Sequence, residues 1–328
     1  MLKILVDAHV FDEGYYQGTT SYIRGMYKDN NGLDITFAAY DAVRLKDIFG
    51  DDAKVVKLYF KSSIGRLLLD FPRLFLTGNY DYVHFQYIIS PFLVNYSIVT
   101  IHDVLFKDYK NYFVGSNWIV KDMLYRISYL MSRHVLTVSE YSRERLRHHY
   151  GSRDITVTEN MFDLKTSLRL NPGVKHKFIL CVSRDEERKR FDLIEKLVQQ
   201  NKELHFVVVT NSTRFEDCIN VTSFSSLEQP YLNWLFSNCH FSVFPSMCEG
   251  FGMPIIESLM SGRLVLTRRA SGMATLKIPT NCFFDNDQEF EMKVLKFWNR
   301  SFDENRVEYD FYSDWALSQE KLRNKLQS

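Results

Sequence analysis

The sequence predicts an α/β protein with two parallel sheets, each covered by helices on both faces. Short apolar runs bounded by polar turns alternate with longer segments of helical period. The short runs are almost continuously apolar, which is typical of strands in a parallel sheet that is buried on both faces. The chain has 328 residues, which suits two ordinary domains. The alternation also yields more strands than one doubly wound unit normally contains.

The elements follow in chain order. Strands of the first half are predicted at Lys3–Asp7, Ile35–Tyr40, Tyr82–Gln86, Ser97–Ile101 and Val135–Val138. Those of the second half are predicted at Phe178–Val182, Leu204–Thr210, Asn220–Ser223 and His240–Phe244. Helices are predicted at Thr20–Tyr27, Trp118–Ser132, Tyr141–Tyr150, Phe191–Gln200, Leu227–Phe236, Pro254–Met260 and Glu289–Trp298.

One segment interrupts this alternation. Residues Asp163–Lys177 lack clear periodicity and contain the turn sequence Asn-Pro-Gly, and the alternation restarts at Phe178. We therefore expect two Rossmann-like domains, residues 1–165 and 166–305, facing each other across a cleft. Residues 306–328 are expected to form a helical tail.

Composition and the chain start limit the function. Lys and Arg total 41 against 40 for Asp and Glu, so the chain has almost no net charge. A nucleic-acid partner is therefore not indicated, because nucleic-acid-binding proteins usually carry an excess of positive charge. The first apolar run stops at Asp7, too early for a signal peptide, and the most apolar window, Tyr82–Ile101, is broken by polar residues and Pro91. The 5 cysteines are odd in number and form no CxxC pair. They are expected to be buried thiols in a cytoplasmic protein.

Glycines cluster at one place in the second half. Gly250, Gly252 and Gly262 follow the strand that ends at Phe244, and Pro254 stands where a helix would begin. The amides of Gly252, Met253 and Ile255 should point out of that helix start towards an anion. This arrangement predicts a phosphate-binding turn at the carboxyl end of a strand, where open α/β sheets bind ligands.

The stretch Phe-Pro-Ser-x-x-Glu249-Gly-Phe-Gly-x-Pro-x-x-Glu257 closely resembles the donor-site motif of glycosyltransferase family 4, retaining enzymes of the GT-B fold. The resemblance implies that Glu257 accepts the ribose hydroxyls of a nucleotide sugar and that Glu249 contacts hydroxyls of the transferred sugar. The backbone of Gly250, Phe251, Gly252 and Met253 would hold the diphosphate or sugar. The structural alternative is a solvated Glu257 and an ordinary turn.

A cationic run follows the strand at Phe178–Val182. Arg184 and Lys189 resemble the family's basic pair, which neutralises the diphosphate leaving group without a metal. The alternative is a solvated charge run that pairs with the acidic residues between them. Arg188 and Arg190 are interpreted in that second way.

Fainter matches lie in the first half. Gly18 resembles the second glycine of a Gly-Gly loop beneath the donor phosphates, although Gln17 replaces the first. His102, followed by Asp103, resembles the family histidine that borders the reacting sugar. Ser139 lies in a stretch that resembles Val-Ser-Glu-x-Ser, and it also suits a helix N-cap. The stretch Asn160–Asp163 resembles the hinge motif Asn-Gly-x-Asp, with Met161 in place of glycine.

Two features bear on metals and on the tail. Asp285-Asn-Asp287 has the form of a metal-binding Asp-x-Asp, but helix capping by Asp287 is the simpler interpretation, and no metal or other cofactor is expected. In the family, a tail such as Tyr312–Leu326 crosses back to the first domain.

The resemblance implies a retaining, metal-independent glycosyltransferase that uses a nucleotide-diphosphate sugar and a glycan or lipid-linked saccharide, in cell-surface polysaccharide synthesis. The alternatives are a GT-B nucleotide-sugar 2-epimerase and a nucleotide-sugar-binding protein without transferase activity. A dehydrogenase and a P-loop protein are disfavoured because neither glycine motif is present. The basic, amphipathic segment Phe60–Tyr80 suits either a membrane surface at the cytoplasmic face or a helix that covers the first sheet.

Overall fold

The computed structural model describes residues 1–13, 18–28, 32–113, 117–160, 168–309 and 315–327. The chain divides into two compact units. Unit 1 comprises Met1–Met161 and Ser313–Ser328, and unit 2 comprises Phe162–Tyr312. The sequence places the corresponding divisions after residues 165 and 305.

Unit 1 contains a parallel sheet of 7 strands in the order β3-β2-β1-β4-β5-β6-β7. The strands are Leu2–Asp7 (β1), Leu33–Ala39 (β2), Lys54–Lys57 (β3), Tyr82–Gln86 (β4), Ser97–Thr100 (β5), His134–Thr137 (β6) and Thr156–Val157 (β7). The order reverses between β1 and β4, so the crevice that such sheets use for ligands lies beyond the carboxyl ends of these strands.

The helices of unit 1 cover this sheet. They are Gly18–Tyr27 (α1), Ala42–Phe49 (α2), Ser63–Gly65 (α3), Phe71–Gly78 (α4), Leu105–Asp108 (α5), Trp118–Met131 (α6) and Glu140–Tyr150 (α7). A π-helical stretch, Arg66–Asp70, joins α3 to α4. The inward residues of α4 and α6, among them Phe71 and Tyr129, belong to one apolar core. The two helices therefore pack on the same face of the sheet.

Unit 2 contains a parallel sheet of 6 strands in the order β10-β9-β8-β11-β12-β13. The strands are Ile179–Val182 (β8), Phe206–Val209 (β9), Val221–Phe224 (β10), Phe241–Phe244 (β11), Val265–Arg268 (β12) and Phe283–Phe284 (β13). The helices are Phe191–Gln200 (α8), Gln229–Asn238 (α9), Met253–Met260 (α10) and Asp287–Trp298 (α11). The order reverses between β8 and β11, which brings the segments after these two strands to one edge.

The last helix, Trp315–Gln327 (α12), belongs to unit 1. Its Gln319 side chain donates a hydrogen bond to the Gly25 carbonyl of α1 over 2.9 Å. The Trp315 ring fills the space beside Gly25, where a Cβ atom would lie 1.8 Å from the ring. The expected return of the tail to the first domain is confirmed, because α12 packs on α1 and β7.

The predicted α/β class with two parallel-sheet domains is confirmed, and each predicted strand and helix is present within 2 residues of its predicted ends. Four strands were not predicted: β3, β7, β12 and β13. Strands β7 and β13 have 2 residues each, too few for a periodic signal, and β3 lies at the sheet edge with lysine at both ends. None of the described helices combines the length and apolar character needed to span a bilayer.

All 5 cysteines are free thiols. Four are buried, as expected, whereas Cys218 is half-buried.

Candidate active site

The turn between β11 and α10 requires glycine at one position. Gly252 has φ +94°, in the left-handed region that residues with a Cβ rarely adopt. A Cβ at this position would also lie 2.9 Å from the Ile255 side chain. Pro254, in the first turn of α10, needs no acceptor for an N–H group. The turn and the start of α10 therefore lie where the motif predicts them.

The open amides of this turn differ from the prediction at one residue. The Ile255 amide donates to the Gly252 carbonyl over 3.0 Å, so the expectation that it points to a ligand is wrong. It is wrong because the carbonyl of the N-cap residue Gly252 accepts this amide and so closes the first turn of α10. The amides of Gly252 and Met253 have no acceptor among the described residues. Two donors therefore remain at the carboxyl edge of the sheet.

Glu249 is held by two cations from the segment after β8. Its Oε1 atom accepts from Arg188 over 2.9 Å and also from the Lys189 ammonium group. Burial alone would raise the pKa of Glu249, but the charges of Lys189 and Arg188 outweigh it and the pKa is lowered. Glu249 is therefore ionised at neutral pH, with a side chain only 13% exposed.

Arg188 makes three further contacts, two of which join its segment to the one after β11. Its guanidinium group donates to the Cys248 carbonyl over 3.0 Å and pairs with Glu186 over 2.8 Å. Its own carbonyl accepts from the Met247 amide over 2.7 Å. The expected pairing of Arg188 with an acidic residue of its own run is confirmed by Glu186, but the expectation that it is solvated is wrong, because its side chain is only 15% exposed and is also bound to the turn after β11. No spacing rule distinguishes it from the neighbouring cations in the sequence.

Glu257 stands in a contrasting environment. It lies half-buried on α10, and its carboxylate has no hydrogen-bond or ion-pair partner within the part of the chain that the structure describes. Burial without a compensating cation raises its pKa to about 7. An unpaired carboxylate is costly to bury, so this group is available to accept hydrogen bonds from a ligand.

Of the two cations predicted as a basic pair, Lys189 forms an ion pair with the protein and Arg184 does not, within the described residues. Lys189 contacts Glu249 and lies 4.9 Å from the centre of the Phe244 ring. Arg184 is exposed and has no ion pair among the described residues. Asp185, which could have neutralised it, instead pairs with Arg214 over 3.0 Å. Arg184 is thus an uncommitted cation at the end of β8.

A second loop, after β12, supports the turn from behind. The Gly272 amide donates to the Glu249 carbonyl over 3.0 Å, and the Glu249 amide donates to Ser271 Oγ over 2.8 Å. A Cβ at Gly272 would lie 2.3 Å from the Gly250 carbonyl oxygen, so only glycine fits. Sequence reasoning missed this loop, because no motif connects it to Glu249.

The Asp-x-Asp stretch has a structural role. Asn286 caps α11 by accepting from the Glu289 amide over 2.9 Å, so the expectation that Asp287 is the cap is wrong by one residue. Asp287 pairs with Arg190 over 2.9 Å and with Arg268 over 2.5 Å. Among the described residues, no three His, Cys, Asp or Glu side chains are grouped as a metal would require.

His102 follows β5 in unit 1 and is buried. Its Nε2 atom is hydrogen-bonded to Gln86 Oε1 over 2.9 Å, and its ring centre lies 5.1 Å from that of Tyr22 and 5.2 Å from that of Tyr87. Burial lowers the pKa of His102 to about 3. The imidazole is therefore neutral at physiological pH, so it can form hydrogen bonds but does not carry a positive charge.

The other predicted unit 1 residues, Ser139 and Gly18, lie at the starts of helices α7 and α1. Ser139 caps α7 by accepting from the Ser142 amide over 3.0 Å, and Ser142 Oγ donates to the His102 carbonyl over 2.7 Å. Gly18 is the first residue of α1, and its carbonyl accepts from the Asn160 side chain over 3.3 Å. Gln17 and the Met161–Asp163 part of the hinge motif lie outside the described residues.

Two family models match the sequence. One, described as Glycosyltransferase Family 4, matches residues 35–166, and the other, Glycosyl transferases group 1, matches residues 167–299. This chain belongs to glycosyltransferase family 4. It is therefore a glycosyltransferase, and the break between the two models falls close to the division between its two units.

Solved structures share the fold of this family 4 glycosyltransferase. Sucrose-phosphate synthase from Thermosynechococcus elongatus is 15% identical with a TM-score of 0.75, over 100% of this chain and 94% of that one. Anabaena HepE, in complex with UDP and glucose, is 15% identical with a TM-score of 0.71, over 100% of both chains. A putative UDP-N-acetylglucosamine 2-epimerase from Listeria monocytogenes is 12% identical with a TM-score of 0.65, over 98% and 94%. No curated protein matches the sequence.

The epimerase match limits what the fold alone can say about this family 4 glycosyltransferase. A transferase and a putative epimerase have the same architecture, so the chemistry must be argued from the site. The residues that carry that argument are the two carboxylates, the cations after β8 and the turn at Gly252.

Proposed function

We propose that this glycosyltransferase moves a hexose from a nucleotide-diphosphate sugar to a saccharide or lipid-linked saccharide, with retention at the anomeric carbon and without a metal. The observation that carries the proposal is the contrast between Glu249, fixed by two cations, and Glu257, which has no partner among the described residues. One site thereby offers both a diphosphate-binding edge and a carboxylate for hydroxyl groups.

Glu257 is assigned to the ribose. A carboxylate can accept two hydrogen bonds from the adjacent 2′ and 3′ hydroxyls, and the absence of a protein partner leaves both oxygens available for them. Hydrogen bonds to the charged form would lower the raised pKa of Glu257 on donor binding. Donor binding therefore relieves the cost of burying this group.

The diphosphate is assigned to Arg184, Lys189 and the backbone from Gly250 to Met253. Arg184 follows β8, and Gly252 and Met253 stand at the start of α10 after β11, so all three residues lie at the carboxyl edge of the sheet, where anions bind. Glu249 is assigned to hydroxyls of the transferred sugar. Since Arg188 also pairs with Glu249, that carboxylate keeps a cation when Lys189 turns to the diphosphate.

The transfer step follows from these assignments. The bond between the anomeric carbon and the phosphate oxygen breaks, and the acceptor oxygen forms its bond to the same carbon on the same face. The acceptor proton passes to the departing phosphate oxygen. Arg184 and Lys189 stabilise the negative charge that develops on the diphosphate, which is the role that a metal has in other transferases. His102, neutral and buried, is assigned to hydrogen bonding with the reacting sugar.

A thermal-shift screen of UDP-, GDP- and ADP-sugars tests donor binding. A donor at about 100 times its Kd should add about 2.7 kcal/mol to the free energy of unfolding. Incubation of that donor with glycan acceptors in EDTA should then give an α- or β-linked product of unchanged anomeric configuration. An epimerised donor without acceptor would assign the site to an epimerase, and binding without any transfer would leave a nucleotide-sugar-binding protein.

The proposed setting is the cytoplasm, where nucleotide sugars are consumed during synthesis of cell-surface polysaccharide. A lipid-linked acceptor would place the enzyme at the inner face of the membrane. Fractionation of cells that express the full chain checks this assignment, and recovery of the protein only outside the cytoplasm and its membrane would contradict it.

A further inference from the structure

The imidazole ring of His102 is held by three neighbours within unit 1. Its Nε2 atom is hydrogen-bonded to Gln86 Oε1 over 2.9 Å. The Tyr22 ring meets it edge-on, with ring centres 5.1 Å apart and 77° between the planes. The Tyr87 ring lies 5.2 Å away, tilted by 35°. Three contacts on one small ring fix both its position and its orientation.

Two of these neighbours are fixed in their turn. The Tyr22 hydroxyl is 2.6 Å from Thr158 Oγ1, and it accepts from Thr100 Oγ1 over 3.3 Å. The Tyr87 ring stacks on Tyr125, with ring centres 5.2 Å apart and 21° between the planes. A side chain that is supported in this way holds its own contacts with precision. The imidazole therefore has one defined orientation in unit 1.

The backbone after β4 departs from a regular strand at Tyr87. Successive side chains along a strand point to opposite faces of the sheet, so Gln86 and Tyr87 would not normally contact the same ring. Tyr87 has φ +66°, in the left-handed region that bulky residues rarely adopt. The Ile88 amide donates to the Gln86 carbonyl over 2.8 Å, which closes a γ-turn of the rare, strained kind. This turn brings two consecutive side chains to His102.

Gln86 carries a second cost. Its side chain is buried, and its amide nitrogen has no acceptor among the described residues. A buried donor without a partner destabilises a fold. Strained backbone is characteristic of functional sites, where the surrounding structure maintains it. The strain at Tyr87 and the unpaired amide of Gln86 thus point to a role in the site rather than in stability.

The contact with Gln86 determines which ring nitrogen of His102 carries hydrogen. A neutral imidazole has one N–H donor and one acceptor nitrogen, and His102 is neutral at physiological pH. An amide oxygen can only accept, so Nε2 carries the hydrogen and Nδ1 is the acceptor. Nδ1 has no hydrogen-bond partner among the described residues and is not sealed in the core, so a ligand can reach it.

We propose that Gln86 and Tyr87 are positioning residues that hold His102 with Nδ1 available to accept a hydrogen bond from a hydroxyl group of the reacting sugar. An acceptor nitrogen selects a sugar that offers a hydroxyl at that place and discriminates against one that offers a carboxylate, such as a uronic acid. The proposal rests on the proposed function for the identity of the ligand, whereas the tautomer is a property of the free protein.

The tautomer is measured on the full chain without a sugar donor. Nitrogen NMR of isotope-labelled histidine shows which ring nitrogen carries hydrogen, and the spectrum of His102→Gln identifies the His102 signals. At neutral pH we expect hydrogen on Nε2 in the parent protein. Hydrogen on Nδ1 in the parent would overturn the proposal, and this result requires no variant at Gln86 to fold.

Gln86→Met tests the hydrogen bond to His102. The substitution removes the acceptor and nearly keeps the volume, so we expect His102 to lose its single tautomer. Ser90→Ala is the matched control, since Ser90 is also buried after β4 and its hydroxyl is likewise unpaired within the described residues. The control should keep hydrogen on Nε2. An unchanged tautomer in Gln86→Met would contradict the role of Gln86.

Transfer rates test the use of Nδ1. The donor found in the screen of UDP-, GDP- and ADP-sugars is compared with analogues that lack one sugar hydroxyl at a time. At one position, loss of the hydroxyl should lower kcat/KM about tenfold in the parent and in Ser90→Ala, but less than about twofold in Gln86→Met. A position-independent effect, or an equal one in Gln86→Met, would overturn the proposal.

Two variants at Tyr87 separate the ring from the backbone turn. Tyr87→Phe keeps the ring against His102 and should behave as the parent does with every analogue. Tyr87→Gly accepts the same φ but removes the ring, so it should lose the dependence on that one hydroxyl as Gln86→Met does. Full dependence in Tyr87→Gly would contradict the role of Tyr87.

Failure of this proposal differs from failure of the proposed function. If no nucleotide sugar shifts the Tm of the parent, the proposed function fails, and the tautomer measurement still decides what Gln86 does to His102. If a donor is bound and transferred but no hydroxyl depends on Gln86, the positioning role fails and the proposed function stands. Cooperative unfolding of each variant, measured first, shows that its fold is intact.

Discussion

The turn that carries Glu249 and the helix that carries Glu257 shift the pKa values of two carboxylates of one motif in opposite directions. At the turn, two cations from the segment after β8 pair with Glu249 and lower its pKa. On α10, burial without a cation raises the pKa of Glu257 to about 7. The same residue type is thus a fixed anion in one place and a titrating acceptor in the other. The difference shows that the charge of Glu249 is stabilised by protein cations, whereas the structure supplies no such cation to Glu257.

The largest expected effect is that of Glu249→Gln. The substitution removes the carboxylate that pairs with Lys189 and leaves Arg188 with Glu186 alone, and breaking a buried pair costs about 3–5 kcal/mol. We expect a clear fall in Tm and a loss of about 10²- to 10³-fold in kcat/KM. Steady-state transfer rates and thermal unfolding measure the two effects. Glu257→Gln is the control. An equal fall in Tm in both variants would contradict the conclusion that only Glu249 is stabilised by protein cations.

Arg184→Ala should act on the chemical step rather than on stability. Arg184 has no ion pair among the described residues, so its removal breaks no protein contact of that kind. We expect kcat to fall by about 10²-fold, because charge on the departing diphosphate loses one stabilising cation. The control is Arg190→Ala, which breaks pairs with Asp192 and Asp287 and should lower Tm but preserve kcat. If Arg190→Ala lowered kcat and Arg184→Ala lowered only Tm, Arg184 would not bind the diphosphate.

Glu257→Ala should weaken donor binding and leave the fold intact. Hydrogen bonds to a charged group contribute about 1.5–3 kcal/mol, which corresponds to about 10- to 100-fold in donor KM. Because Glu257 has no partner in the described structure, Tm should not fall. Initial rates across donor concentrations give KM, and an unchanged KM would remove Glu257 from the donor site.

The smallest expected effect is a pH dependence confined to Glu257. If the ionised form binds ribose, a pKa of about 7 makes donor binding about tenfold weaker at pH 6 than at pH 8. Isothermal titration across this range measures it, and Glu257→Gln should remove the slope. Glu249 adds no slope there, since its pKa is lowered from 4.5.

Stability should follow the same division. The raised pKa of Glu257 means that the folded protein binds more protons than the unfolded chain between pH 4.5 and about 7, so its contribution to the free energy of unfolding falls as pH rises through that window. The contribution of Glu249 is present above pH 4.5 and is lost as pH falls through its lowered pKa. Urea unfolding of Glu257→Gln and of the parent protein measures this effect. The free energy of unfolding should depend on pH differently in the two proteins, and only above pH 4.5.

The turn between β11 and α10 was predictable because its residues are contiguous. Glu249, Gly252 and Glu257 share one strand–turn–helix passage, where spacing in sequence translates directly into position in space. Nine of the described strands were predictable for the same reason, since each carries its own apolar run. Short strands such as β13 gave no signal, because two residues cannot show a period.

Features that depend on contacts between distant segments could not be predicted. Arg188 stands in a run of charges, and only the fold shows that it reaches Glu249 across the sheet edge. The raised pKa of Glu257 depends on burial by neighbours that are remote in sequence. His102 was recognised from a motif, but its neutral state follows from packing against Tyr22 and Tyr87.

The contact of Gly272 with the turn after β11 has a consequence for engineering this enzyme. The loop after β12 and the turn after β11 share hydrogen bonds in both directions, and a methyl group at position 272 would collide with the Gly250 carbonyl. Libraries that aim to change sugar preference can vary Ser271 and its flanking residues to shift the Glu249 backbone from behind. Position 272 itself should stay glycine, although it lies well outside the recognised motif.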